Sequence, residues 1–509
     1  MFTPSLSELF DLSPDYNFIP IRLTIFADQE TPIRLYQKLR YPNSFLLESV
    51  EGGARWARFS FIGLRPFLIL EAKGNEITVT NRGERKQKLQ GNPIQVLRDL
   101  MSHYRSPNLP NFPRFCGGAV GFFGYNILHY FEDLPVNTQE TLDVPDIRFL
   151  FVDECVAFDH LKQEIQLLIH LSVDSNDSRE VIEQKYKEVC LRLKALADEI
   201  SKEQQASQQT LPIPIDAMPK CQSRVNVNLT QADFEGMVLR AKEYIAAGDI
   251  FQVVLSQRFS VETQIDPFHV YRVLRRMNPS PYMYYLEYEG ETIVGTSPEL
   301  LVRVEDRKVE MRPIAGTRKR GCSLEEDEKL AQELLQDPKE RAEHYMLLDL
   351  GRNDVGRVSE YGSVQVEEQM VIEQYSHVMH MVSHVTGVLR QELHPFDALL
   401  SSFPAGTVSG APKLRAMEII AELEQDARHT YAGAIGYLSF TGNLDTCITI
   451  RTLLFKDGQA HVQAGAGIVA DSNPTLEYQE TINKATGMIC ALELAEQLFE
   501  SKEEKPCYQ

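Results

Sequence analysis

The sequence predicts an α+β fold. Short β-like runs dominate before residue 197, helices and strands mix after residue 225, and the two kinds of element are not segregated along the chain. The composition, 43% hydrophobic and 24% charged over 509 residues, is that of a globular chain able to bury a large core.

Residues 44–49, 60–62, 67–72, 77–80, 147–159 and 164–171 read as strands, because apolar and β-branched runs there are bounded by Gly, Asn and Pro. Residues 94–104 and 178–196 read as helices. Residues 197–224 are rich in Gln, Ser, Lys and Pro, carry no apolar period, and read as a loop or linker. That segment need not separate independent domains, since an N-terminal sheet can pack on the C-terminal half.

Beyond it, Thr230 with Asp233 forms a capping pair, Phe234, Val238, Ala241 and Ile245 make one helix face, and Gly248 stops the helix. Residues 250–259 follow as a strand. Helices are expected at 267–277, 325–335, 339–349, 413–423 and 476–498, with Asp337-Pro338 as a break. Residues 432–440, 446–456 and 460–470 alternate like strands, and 371–388 fits either state.

The net charge of -20 disfavours phosphate backbones and anionic membranes as partners. An anionic small molecule needs a local cation to enter such a field. The eight cysteines form no C-x-x-C pair and read as reduced thiols, which with the absence of a signal-peptide pattern points to the cytoplasm. No apolar run is long enough to span a bilayer.

Two carboxylate pairs carry possible chemistry. Glu340 with Glu343, and Glu477 with Glu480, are each three apart on a predicted helix and so share a face. Facing helices would make an oxygen-rich Mg²⁺ site, whereas isolated pairs are solvated surface. Gly316, Gly406, Gly410, Gly465 and Gly467 lie in turns where backbone N–H groups can approach an anion, although no P-loop or G-x-G-x-x-G unit is present. Histidines 377, 380 and 384 lack the H-E-x-x-H context of zinc, and one of them can instead serve as a proton carrier. No G-x-S-x-G elbow occurs.

These stretches also resemble a known family. GTSPE at 295–299, PIAGTR at 313–318, EHYMLLDLGRND at 343–354, SHVMHMVSHVTG at 376–387, FPAGTVSGAPK at 403–413, LDTCITIRT at 444–452 and QAGAGIVADSNP at 463–474 are similar, in order, to the chorismate-utilising enzymes. The resemblance implies large sheets flanked by helices. It implies Mg²⁺ held by Glu343 and Glu480, with Glu340 and Glu477 in an outer set. It assigns the substrate to Gly316, Thr317, Tyr431, Arg451, Gly465, Ala466, Gly467 and Lys484, the general acid to Glu299, and a later elimination step to His380.

Within the family, relatives that use water carry Lys where this chain has Gln252, and relatives that use a covalent lysine carry it where this chain has Ala315. Both departures favour direct attack by ammonia at ring C2. Synthases of the 4-amino, isochorismate or salicylate type, and a non-catalytic sensing paralogue, are the alternatives. The resemblance implies ammonia from a separate glutamine amidotransferase chain, because no G-x-C-x-G nucleophile turn is found here. It also implies a tryptophan feedback site formed by Glu48, Ser49, Pro281, Tyr282 and Met283, supported by Arg58. The expected organisation is a regulatory region at 1–200, a linker at 201–224 and a catalytic region at 225–500.

Overall fold

The computed structural model describes residues 2–49, 58–83, 86–135, 139–202, 225–375 and 378–499. Its strands form two large antiparallel sheets, and each sheet mixes strands from before and after the 203–224 segment. The first sheet places Phe59–Leu64 beside Ser44–Glu48, then Tyr282–Tyr288, Glu291–Ser297, Thr452–Lys456, Gln459–Ile468 and Gln252–Glu262. The second runs from Ile314–Lys319 through Val378–Val388, Lys308–Met311, Leu300–Glu305, Leu444–Ile448 and Ala434–Ser439 to Gly118–Phe123 and Ile147–Val152.

The sheets stack face to face. Between them lies an aromatic core in which Phe45, Phe61, Tyr284 and Leu454 of the first sheet meet Val120, Phe122, Ile435 and Tyr437 of the second, with Phe115 wedged among them. The outer face of the first sheet is covered by helices including Arg179–Ser201, Pro267–Met277 and Pro474–Phe499. The outer face of the second carries Pro93–Ser102, Pro338–Val358 and Pro395–Ser402. Many strands are therefore buried on both faces. Glu154–Asp159, for example, turns Cys155 and Ala157 inward and Val156 and Phe158 toward the helices, so its apolar run is continuous.

The local signals act as expected at several ends. The Thr230 hydroxyl accepts from the Asp233 amide at 3.2 Å, Asp233 returns a bond to Thr230, and Gly248 closes the helix Gln231–Ala247 at φ 84°. Asp337 caps the helix Pro338–Val358 by accepting from the Lys339 and Glu340 amides.

Some readings are extended, resolved or left untested. The helix Arg179–Ser201 runs past residue 196, because Leu196 and Ile200 continue the buried stripe of Ile182, Val189 and Leu193. Residues 203–224, most of the expected linker, lie outside the described residues. The ambiguous stretch near 371–388 is strand, as Gln365–Gln374 and Val378–Val388. Among the described cysteines, Cys116, Cys155, Cys190, Cys322 and Cys447 are free.

A further difference bears on the site. Residues 147–159 and 446–456, each read as one strand, are two apiece. The chain leaves Ile147–Val152 in one sheet and enters Glu154–Asp159 in the other, and it does the same between Leu444–Ile448 and Thr452–Lys456. It crosses again between Glu291–Ser297 and Leu300–Glu305.

The core makes a direct prediction. Phe115 is fully buried, with its ring 5.5 Å from Phe61 and 4.8 Å from Tyr437. Phe115→Ala should cost about 3–5 kcal/mol, read as a lower midpoint in urea unfolding.

Candidate active site

Two of the crossings lie side by side. Glu299 sits in the first and Arg451 in the second. The Ile448 amide donates to the Glu299 carbonyl at 3.1 Å, and the Thr296 amide donates to the Arg451 carbonyl at 3.1 Å. Arg451 has φ 52°, a left-handed turn that redirects the chain between sheets.

Glu299 is buried, and the Thr407 hydroxyl donates to its Oε1 at 2.7 Å. Burial pushes its carboxyl up to about 7, a rise that the Thr407 bond partly opposes. It lines a cleft of about 370 Å³ with Gly406, Thr407, Leu347 and Leu350.

A second group gathers at the ends of Gln459–Ile468 and Pro474–Phe499. Lys484 Nζ donates to the Gly465 carbonyl at 2.9 Å and pairs with Glu480 at 2.6 Å. Arg451 reaches the Lys484 carbonyl at 3.4 Å, and burial holds its guanidinium below its ordinary value. A methyl group on Gly465 would lie 2.7 Å from the Tyr431 hydroxyl, and one on Gly467 would lie 2.6 Å from Gln252 Nε2. At 465 the Leu255 backbone carbonyl, 2.9 Å from such a methyl, also demands glycine, whereas at 467 the flexible Gln252 amide can give way. Ala466 turns its methyl into the helix-covered core beside Val253 and Ala416, leaving only its backbone for the site.

Across from this group, Gly316 adopts φ 69° at a bulge in the pairing of Ile314–Lys319 with Val378–Val388. A Cβ there would meet Leu334 at 2.8 Å and Glu340 at 3.1 Å. His380 Nδ1 lies 3.0 Å from the Thr317 hydroxyl and 3.3 Å from the Gly316 carbonyl. His384 sits apart, buried between Glu367 and Glu310 at 3.2 and 3.6 Å, and His377 lies outside the described residues. The two described histidines thus have separate partners.

A family model for chorismate binding enzymes matches residues 44–489. The chain belongs to the chorismate binding enzyme family. It is 51% identical over 496 residues to anthranilate synthase component 1 of Acetivibrio thermocellus, covering 97% of this chain and 99% of that protein. It is 42% identical to the protein of the same name in Bacillus subtilis, over 99% of this chain and 98% of the other. The crystal structure of anthranilate synthase component I from Streptococcus pneumoniae superposes with a TM-score of 0.72 at 39% identity, covering 91% of this chain and 99% of that one. The menaquinone-specific isochorismate synthase of Escherichia coli, at 18% identity and a TM-score of 0.66 over 96% of this chain and 99% of that one, shares the fold.

In this chorismate binding enzyme the four glutamates occupy two facing helices. Surrounding protein pushes the Glu343 carboxyl up, and the charges of Glu340 and Glu480 add to the rise. Burial raises Glu477 in the same way, with Glu480 adding to it. The two pairs therefore feel each other across the site. Arg318 holds Glu340 at 2.8 Å and Lys484 holds Glu480. Among the described residues no three metal-ligating side chains converge as a ready-made cage. The arrangement fits a cation that takes one or two direct carboxylates and completes its shell with water and substrate oxygen, as Mg²⁺ does.

A separate pocket of about 580 Å³ opens between the sheets, lined by Glu48, Ser49, Pro281, Tyr282 and Met283. Glu48 accepts from the Tyr271 hydroxyl at 2.6 Å and from Arg275 Nε at 3.0 Å. The Ser49 hydroxyl is buried without a hydrogen-bond partner. Arg58 is not on the wall; it pairs with Asp159 at 2.9 Å and lies over the Phe59 ring.

Sequence reasoning missed the floor of this pocket. Arg303 and Asp445 pair at 2.8 Å, Arg114 lies 3.8 Å from Asp445, and Tyr282 donates to Asp445 at 2.9 Å. The available signal was a charge inside each apolar strand run, Leu300–Glu305 and Leu444–Ile448. Thr407 was also missed, since nothing local ties it to Glu299, 108 residues away.

Thr407→Val removes the hydroxyl that favours the ionised form of Glu299. Its titration should then move to higher pH, read by ¹³C NMR of labelled glutamate, with Glu299→Gln assigning the signal. A shift to lower pH would contradict the assigned geometry.

Proposed function

We propose that this chain converts chorismate and ammonia to anthranilate, pyruvate and water. The observation that carries the reading is a carboxyl, Glu299, kept neutral by burial up to about pH 7 and anchored at a crossing that is hydrogen-bonded to the one carrying Arg451. A hydroxide is a poor leaving group, whereas protonation by a neutral acid lets it depart as water.

Chorismate carries two carboxylates. Arg451, Lys484 and the backbone at Gly465, Ala466 and Gly467 supply positive charge and donors for the pyruvyl portion, with Tyr431 beside them. Gly316 and Thr317 border the ring. Glu343 and Glu480 would hold Mg²⁺, with Glu340 and Glu477 outside them, and the ion would supply orientation and charge for the ring carboxylate. Ammonia attacks C2 as Glu299 gives its proton to the departing C4 oxygen. Gln252, which has no basic lone pair at neutral pH, leaves water unactivated there. Loss of pyruvate then aromatises the ring, with His380, braced by Thr317, as proton carrier for this later step.

Two further parts of the proposal rest on the family likeness. Ammonia comes from a glutamine amidotransferase subunit in a hetero-oligomer, with the reaction placed in the cytoplasm. Tryptophan is the feedback ligand of the pocket at Glu48, where the unpartnered Ser49 hydroxyl offers a hydrogen bond, Glu48 receives the ammonium, and Pro281, Tyr282 and Met283 wall the indole.

Purified chain given chorismate, Mg²⁺ and ammonium should yield a fluorescent product with the mass of anthranilate, and chelation should abolish it; a hydroxylated or 4-amino product would overturn the reading. Glu299→Gln should lower kcat about 10²–10⁴-fold. At constant free ammonia, kcat should fall as pH rises through about 7, because the acid is competent only while protonated. Ser49→Phe should retain turnover and need more tryptophan for inhibition, measured as a shifted dose–response curve.

A further inference from the structure

We propose that Ser297 is a positioning residue that ties Glu299 to the wall of the Glu48 pocket; this rests on the roles given above to Glu299 and to that pocket. Ser297 is fully buried at the end of Glu291–Ser297, two positions before Glu299. Its hydroxyl donates to the Ile448 carbonyl at 2.6 Å, and the Glu299 amide lies 3.5 Å from the same oxygen atom of Ser297. The Ile448 amide in turn donates to the Glu299 carbonyl. One side chain therefore completes a small ring of hydrogen bonds that clamps the backbone of the acid against the neighbouring crossing.

The same residue touches the pocket wall from two directions. Cys447, which lines the pocket, directly precedes Ile448, whose carbonyl accepts from Ser297. Tyr282, also on the wall, is the cross-strand partner of Ser297. Cys447 is buried and Tyr282 half-buried in packed sheet, so a ligand that displaces either must move Ser297 or break its bonds. Only the two-residue segment Pro298-Glu299 separates Ser297 from the carboxyl that protonates the substrate. Loosening the clamp would shift Glu299 from the leaving oxygen and admit water to it. Occupancy of the pocket thus reaches the chemistry through the placement of the acid, without any contact with chorismate.

The test uses the full chain with chorismate, Mg²⁺ and ammonium, comparing wild type, Ser297→Ala and Ser297→Thr, with tryptophan binding followed by calorimetry. Ser297→Ala should lower kcat about tenfold while KM for chorismate changes less than about twofold. Its alkaline kcat limb should move to lower pH, because a wetter Glu299 ionises more readily. Tryptophan should still bind, but its maximal inhibition should become partial. Ser297→Thr, which keeps the hydroxyl, should restore all three readouts; if its extra methyl prevents folding, Ser297→Cys replaces it and partial restoration is expected. A loss of kcat with an unmoved limb and complete inhibition would show a purely structural residue and overturn the proposal, as would unchanged behaviour. Wild type that neither turns over chorismate nor binds tryptophan would remove the underlying reading, and this proposal with it.

Discussion

The structure depends on a pair of adjacent chain crossings between two stacked sheets. At 298–299 and at 449–451 the backbone leaves one sheet for the other, and reciprocal amide–carbonyl bonds at 3.1 Å lock the crossings together. Backbone in such a place has left its ladder and must find other partners. Each crossing supplies them to the other. The result is irregular backbone held rigidly inside a core, which is where a protein can keep an acid and a guanidinium dry and fixed.

That placement organises the electrostatics. The chain carries a net charge of -20, yet the substrate of the proposed reaction is a dianion. The field is reversed locally, where Arg451, Lys484 and glycine-rich backbone converge on one side. On the other side burial raises the proton affinity of Glu343 and Glu477, and neighbouring glutamate charges add to the rise. Glu299 is governed differently. Its high proton affinity comes from burial, with a single hydroxyl from Thr407 working against it, so its protonation follows solvent access. The Glu48 pocket uses the same strands: Asp445 and Cys447 form its floor, and the next residue, Ile448, holds the acid.

Much of the local architecture could be read from residues alone. The Thr230–Asp233 cap, the Gly248 stop, the Asp337-Pro338 start and the spacing of Glu340 with Glu343 and Glu477 with Glu480 are short-range features, and they appear at those places. The crossings could not be read. Residues 446–456 look like one strand because both sheets bury their strands on both faces, so the apolar run does not change as the chain changes sheets. The Arg303–Asp445 floor was hidden for a related reason: each charge looks anomalous in its own strand and is explained only by a partner 142 residues away.

Sequence by itself determined the α+β class, the helix starts, the glycines with special backbone or close neighbours, and a family resemblance carried by ordered motifs. Those properties depend on neighbours in the chain, where propensity, capping and turn stereochemistry act. Tertiary structure alone decided that strands from both sides of the 203–224 segment share each sheet, that Thr407 reaches Glu299, and that Ser297 stands between acid and pocket. These are relations between residues brought together by the burial of two sheet faces against each other, and the free energy of that burial has no counterpart in any local stretch of sequence.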